Sequence, residues 1–293
     1  MDRTATISGK VSPEGTPGTL PQPFVVIESG KPLWHINLKE LWQYSELLYF
    51  LVWRDVKVRY RQTAIGVAWA ILQPLLTMLI FTLVFNQFAK IPSDGVPYPI
   101  FAFAALLPWI YFSQAISRCA SSVIGDSGLI TKVYFPRLII PLAAVLPPLV
   151  DFCCSLLILF AMIAWYGIAP TWALLAAPAF LLLALLTALG VGLWLSALNV
   201  RYRDVNHVVP FIIQVWMFAS PVVYPVSLVP EKWRLVYSLN PMVGVIEGFR
   251  WAVLGKVPPH FGIMAISGFA VLASLVGGIL FFKRMERTFA DDI

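Results

Sequence analysis

Long uncharged stretches dominate the pattern of this chain. No charge falls between Arg61 and Lys90, Asp94 and Arg118, Asp204 and Glu231, or Lys256 and Lys283. Between Arg137 and Arg201 the only charge is Asp151. A helix that crosses a bilayer needs about 20 apolar residues, so each of the first four runs holds one crossing. The last run is long enough for two, and Gly167-Ile168-Ala169-Pro170 divides it, because Gly and Pro interrupt helices. The pattern predicts six spans, near residues 63–89, 98–118, 139–166, 172–199, 206–228 and 261–282. The fold class is therefore an all-α integral membrane protein.

Two segments break the rhythm of spans. Ahead of the first, Leu38, Leu41, Trp42, Leu48, Tyr49, Val52, Trp53 and Val56 recur at helical spacing, with Lys39, Glu40, Gln43, Glu46 and Lys57 largely elsewhere on the wheel. Residues 35–61 thus predict an amphipathic helix lying in the membrane interface. Either it only orients the first span, or Arg54, Lys57, Arg59 and Arg61 also meet an anionic lipid headgroup as it enters. Clustered basic side chains suit phosphate oxygens. The second segment, residues 229–256, holds two short apolar stretches separated by Asn240-Pro241. Each is too short to span. They predict an interfacial or re-entrant helical hairpin, serving as a gate over a pathway or as a plain surface cap. Within it Gly244 and Gly248 stand four apart, which permits close helix approach.

Composition sharpens this picture. Hydrophobic residues make up 59% of the chain and charged residues only 12%, against about 25% charged in ordinary globular proteins. Lys and Arg also set an orientation. Lys90, Lys232, Arg234, Arg250 and Lys256 fall on one side, and the other 16 of the 21 basic residues fall on the side of the termini. Both termini are expected in the cytoplasm. The net charge of +6 reflects that bias and attraction to anionic lipid, not nucleic acid. Residues 1–34 predict a flexible cytoplasmic lead-in without a cleavable signal, and 286–293 a cytoplasmic tail. Cys119, Cys153 and Cys154 lie in or beside spans, so no disulfide is expected.

Catalytic motifs are sparse. The Gly-Lys pairs at 9–10, 30–31 and 255–256 are followed by Val11, Pro32 and Val257, not by the Ser or Thr of a phosphate loop. His35, His207 and His260 lack close metal-ligand partners. Gly125-Asp126-Ser127-Gly128 reads as a helix break. Asp151 is the lone carboxylate within a span. Such a group normally faces a bundle interior, here bonded to a neighbouring helix or paired with Arg118. Gln114 and Gln214 are further polar positions in spans, and Pro74 bends the first span.

At this point the residues resemble a family. Arg54-Asp55-Val56-Lys57-Val58-Arg59-Tyr60-Arg61, Gln73-Pro74-Leu75, Leu107-Pro108-Trp109 and Lys132-Val133-Tyr134-Phe135-Pro136-Arg137 are similar to ABC type-2 permeases of the polysaccharide and O-antigen export family. So are Asn199-Val200-Arg201-Tyr202-Arg203-Asp204-Val205, Ser220-Pro221-Val222-Val223-Tyr224-Pro225, Asn240-Pro241 and Glu247-Gly248-Phe249-Arg250, in order from about residue 35 to 285. Teichoic acid and capsule permeases look similar.

The resemblance implies a homodimer with six spans per subunit in residues 62–285. It implies two copies of a separate ATPase that binds ATP and Mg, this chain having no cofactor, no metal and no catalytic residues. The cargo it implies is a lipid-linked polysaccharide. Coupling to the ATPase would fall in the loop 126–137, with Asp126, Leu129, Ile130, Lys132, Tyr134 and Arg137, and Arg201 and Arg203 as a second contact or an internal cluster. The basic cluster of the interface helix would receive the lipid pyrophosphate. Aromatic rings on spans one and five would line the sugar path: Trp69, Phe81, Phe85, Trp216, Phe218 and Tyr224. Glu231, Trp233, Asn240, Pro241, Phe249 and Arg250 would belong to an outer gate. Two other classes remain open: an ABC type-2 exporter of small hydrophobic compounds, and, more distantly, a membrane glycosyl- or phosphotransferase.

Overall fold

The computed structural model describes residues 38–61, 66–202, 204–256, 258–286 and 289. The expected N-terminal lead-in, Arg203 and most of the tail lie outside the described residues. Within them the regular structure is helical. The interface segment forms α1 (Leu38–Gln43) and α2 (Ser45–Arg61), and α3 follows (Gly66–Phe81), passing into a π-helical turn at Thr82–Phe88. Then come α4 (Tyr98–Gly125), α5 (Ser127–Ile130), α6 (Ile139–Ala144), α7 (Pro148–Trp165) and α8 (Ala177–Arg201). The last four are α9 (Val205–Phe218), α10 (Glu231–Ser238), α11 (Pro241–Leu254) and α12 (Phe261–Glu286).

Proline and glycine set many of these limits. Pro99, Pro148 and Pro241 sit in first turns, where the missing N–H costs nothing. The Pro147-Pro148 pair also splits the third predicted span into α6 and α7. Helix α11 has the Asn240 side chain accepting from the Met242 N–H at its start, and Gly255 at φ +66° closing it.

Five helical segments among the described residues are long and apolar enough to cross a membrane: 68–88, 98–125, 139–165, 172–201 and 261–286. The fifth predicted span, 206–228, is shorter than expected. Its helix α9 has 14 residues, about 21 Å at 1.5 Å per residue, less than a hydrocarbon core of about 30 Å. Ser220-Pro221 and Pro225 turn the chain back instead, and that turn is buried.

Helix α4 is the centre of the bundle. Of its most apolar stretch 78% is buried, against 11% for the span containing α3. Helices α3, α7, α8, α9 and α11 pack around α4, and α12 lies along α8. At the α8–α12 seam, a Cβ on Gly278 would sit 2.3 Å from the Gly190 carbonyl oxygen. Only backbone fits there, and in lipid such close van der Waals approach is what holds helices together.

The hairpin at 229–256 also departs from a simple cap. Helix α10 is mostly exposed, but α11 is a core helix with Met242, Val243, Val245, Ile246 and Phe249 fully covered. The Gly244 and Gly248 pair explains the insertion. A Cβ on Gly244 would meet Ser267 of α12, and one on Gly248 would meet the Phe180 ring of α8.

Candidate functional site

The basic end of the bundle is organised by the interface helix. Leu48, Leu51 and Val52 of α2 turn inward onto Phe135, Ile139 and Ile140. Trp42, Tyr49, Phe50 and Trp53 face outward. The single apolar face expected from the wheel is therefore two faces, one protein-covered and one aromatic and open. Such an exposed Trp and Tyr stripe suits headgroup depth.

Two of the four basic residues grouped as a headgroup cluster are drawn into ion pairs of their own. Arg54 forms a bidentate pair with Asp126 at 2.9 and 3.1 Å and also reaches Asp55. Its hydrogen bond to Asp126 raises the guanidinium pKa above the ordinary value. Arg59 pairs with Asp151 and donates to the Gln114 side chain at 3.2 Å. Lys57 and Arg61 stay exposed. Asp151, at the first turn of α7, also accepts from the Tyr60 hydroxyl. Burial, and then that hydrogen bond, push the Tyr60 phenol up, which keeps it a donor. The expected alternative of an Asp151–Arg118 pair is thus replaced by an Arg59–Tyr60–Asp151 triad. Sequence could not see this, since the partners stand 91 residues or more apart.

Cavities flank the triad. One, of about 300 Å³, is lined by Arg59, Trp69, Gln73, Tyr111, Gln114, Asp151 and Ser155 among others. A second, more open groove of about 370 Å³ shares Arg59 and Gln114 and adds Ser113, Ser117, Arg118, Pro210 and Ile213. A third, of about 240 Å³, shares Arg118 and runs to Arg54, Asp55 and Asp126. Among the described residues no group of three or more His, Cys, Asp or Glu is placed to hold a metal.

The loop 126–137 is only partly a free surface. Leu129 and Ile130 turn toward α2 and α6, so two of its apolar residues serve internal packing. Arg137 donates to the Glu286 carbonyl at 2.6 Å and lies over the Phe289 ring. Lys132, Val133 and Tyr134 are the exposed tip, with Tyr134 81% exposed. Arg201 is exposed and stacks on Tyr202; Arg203 is outside the described residues.

The opposite end is tied tightly. Asn240 donates to the Ala219 carbonyl and Ser220 hydroxyl, and accepts from Trp216 Nε1 and Met242 N. It joins the end of α9 to the start of α11. Arg250, buried, pairs with Glu247 at 2.7 Å, donates to the Pro221 carbonyl at 2.7 Å and sits 3.8 Å from the Phe101 ring centre. Tyr98 donates to the Val223 carbonyl, and Tyr237 to the Tyr224 hydroxyl, which itself donates to the Phe218 carbonyl. Pro241 and Phe249 are packed in this region, whereas Glu231 and Trp233 are exposed.

The six aromatics assigned to a path differ in exposure and contacts within the single chain. Trp69 and Phe218 are exposed, Phe85 is half-buried and Phe81 is buried against it. Trp216 packs edge-on to Phe112, and Tyr224 belongs to the tyrosine chain. Tyr111, Gln73 and Ser155 line the cavity beside Trp69, and sequence gave no signal singling out Tyr111 or Ser155.

Residues 46–254 match the family described as ABC-2 type transporter. Among curated relatives, an O-antigen export system permease protein of Myxococcus xanthus is 34% identical over 260 residues, 87% of this chain and 98% of the relative. One of the same name from Klebsiella pneumoniae is 26% identical over 249 residues, 84% of this chain and 94% of its own. A polysialic acid transport protein of Escherichia coli is 23% identical over 246 residues, 80% of this chain and 91% of its own.

Proposed function

The chain belongs to the ABC-2 type transporter family, and from that premise we propose that it is the membrane subunit of an ATP-driven exporter of lipid-linked polysaccharide. The observation that carries the reading is its likeness over nearly full length to a protein named for O-antigen export. The energy comes from a separate ATPase, in two copies, that docks on Lys132, Val133 and Tyr134. Two copies of this chain build the path, with α9 completing a sixth crossing together with its buried turn, in an inner membrane with both termini cytoplasmic.

Exposed polar positions support that arrangement. Gln73, Asn86 and Gln87 lie on or after α3, and Asn206, His207 and Gln214 on α9, all exposed in the single chain. Amides and imidazoles turned to hydrocarbon are costly. They fit a second subunit or a water-filled path. The α10–α11 hairpin then gates the outer mouth, held shut by Asn240 and Arg250.

The deciding experiment is purification with the native ATPase in mild detergent, followed by reconstitution. ATP-dependent movement of lipid-linked glycan across vesicles supports the reading. A chain that purifies with no ATPase, or a complex that moves small hydrophobic compounds and leaves glycan behind, overturns it.

A further inference from the structure

We propose that Arg118 and the groove it walls bind the phosphate of a lipid headgroup at the inner membrane boundary, a site separate from the exposed Lys57 and Arg61. The proposal rests on the export reading above and names the chemistry that the first part of the path recognises.

The argument begins with charge. Three carboxylates stand near Arg118, and each is occupied elsewhere. Asp55 and Asp126 hold Arg54, and Asp151 holds Arg59 and Tyr60. Arg118 itself, half-buried on α4, makes no hydrogen bond or ion pair among the described residues. A guanidinium carries five donors and keeps its charge under all ordinary conditions. Leaving one half-buried and unpaired is expensive unless a ligand supplies the anion.

The groove is built to supply such a ligand. Its lining holds two cations, Arg59 and Arg118, and no carboxylate. Ser113, Gln114 and Ser117 add polar walls, and Pro210 and Ile213 of α9 give an apolar side. About 370 Å³ is room for a phosphate ester with the first carbons of its lipid. Planar guanidinium forks bind phosphate oxygens in pairs.

Depth agrees with this chemistry. Arg118 is 20 residues after Tyr98, where α4 starts, which is about 30 Å along a helix and so the thickness of the hydrocarbon core. With Tyr98 at the outer edge of the hydrocarbon, this spacing sets Arg118 at the depth of the inner headgroup phosphates. Beyond it the groove shares Arg59 and Gln114 with the cavity lined by Trp69 and Tyr111. A phosphate on Arg118 therefore leaves the attached group facing an aromatic and amide wall.

Two sources carry this chemistry, the pyrophosphate of a polyprenyl-linked cargo and the phosphate of bulk anionic lipid. The test separates them. The full chain with its ATPase is placed in phosphatidylcholine nanodiscs, and binding of farnesyl pyrophosphate, farnesol or added phosphatidylglycerol is read by native mass spectrometry. R118Q is expected to weaken farnesyl pyrophosphate binding roughly tenfold, the scale of one lost charge-assisted hydrogen bond, and to leave farnesol unchanged. R118K restores part of the binding. S117E, which puts a carboxylate into the groove with Arg118 in place, weakens it as R118Q does. R284Q, the same charge loss on an exposed residue of α12, changes nothing. The same pattern seen with phosphatidylglycerol instead supports the phosphate site and assigns it to bulk lipid. Equal binding of both phosphate probes by wild type and R118Q overturns the proposal, and equal binding by wild type and S117E does so if R118Q does not fold. Failure of the export reading looks different: a wild-type complex that moves no glycan while headgroup binding still depends on Arg118.

Discussion

Replacing Asp151 by Asn tests the triad that fixes the interface helix. The side chain of Asp151 is 7% exposed and that of Arg59 28%. D151N leaves the Arg59 charge without its carboxylate and the Tyr60 hydroxyl with a weaker acceptor. Removing one member of a buried pair costs about 3–5 kcal/mol. Arg59 keeps Gln114 and some solvent, so about 2–3 kcal/mol is expected here. For a chain of this size that lowers the melting temperature by roughly 5 °C, measured on the detergent-solubilised complex. The triple change R59M/Y60F/D151L removes every polar member at once, and such replacements are often neutral or better, so it is expected to melt above D151N. A double-mutant cycle adds the assignment of partners: Asp151 couples to Arg59 by more than about 1 kcal/mol and to Arg118, which feels its charge without bonding to it, by clearly less. A D151N protein that melts with wild type, or a cycle in which Arg118 carries the coupling, refutes the triad.

Three further outcomes are expected. G278A puts a Cβ against the Gly190 carbonyl and forces α8 and α12 apart, so stability falls by about 1–3 kcal/mol in a reversible denaturation series; an unchanged midpoint contradicts the seam. N240A strands the Trp216 and Met242 N–H groups and frees the end of α9, costing about 1–3 kcal/mol and making reconstituted vesicles leak a small tracer, whereas tight vesicles of unchanged stability contradict its role as the tie. R54D and D126R each lower glycan export while the double swap R54D/D126R recovers it, with under about 1 kcal/mol of stability at stake because Arg54 is half exposed; failure of the swap to recover export means that the pair is not what export needs of these two residues.

The spans were readable because charge is excluded from them, and that exclusion is a property of lipid rather than of any partner residue. Helix ends were less so. Gly125 reads as a break, and α4 ends there, yet the charge pattern puts the edge of the span at Arg118. Arg118 instead continues the helix and faces a groove. Asp151 was recognisable as a group that needs a partner; its partner was not, because Arg59 and Tyr60 come from a segment read as lying outside the bundle. The same reason hides the burial of α11. Its composition suits a surface stretch or a core helix equally, and only the small Gly244 and Gly248 against Ser267 and Phe180 decide for the core.

Lipid as solvent also changes what exposure means. In water an exposed Phe218 or Leu79 would argue for a missing partner. In a bilayer it argues for nothing, since hydrocarbon covers it as well as protein does. That is why the aromatic residues carried little information about a path, and why Trp216, half-buried and bonded to Asn240, serves the tie between α9 and α11. Polar side chains reverse the inference. An exposed Gln214 or Gln73 has no acceptable neighbour in hydrocarbon, so each such position points to protein or water on its far side. Arg118 is the strongest of them, being charged, half-buried and without a hydrogen bond or ion pair among the described residues. The residues that point to a second subunit or to water are thus the few polar ones whose needs the described part of the chain leaves unmet.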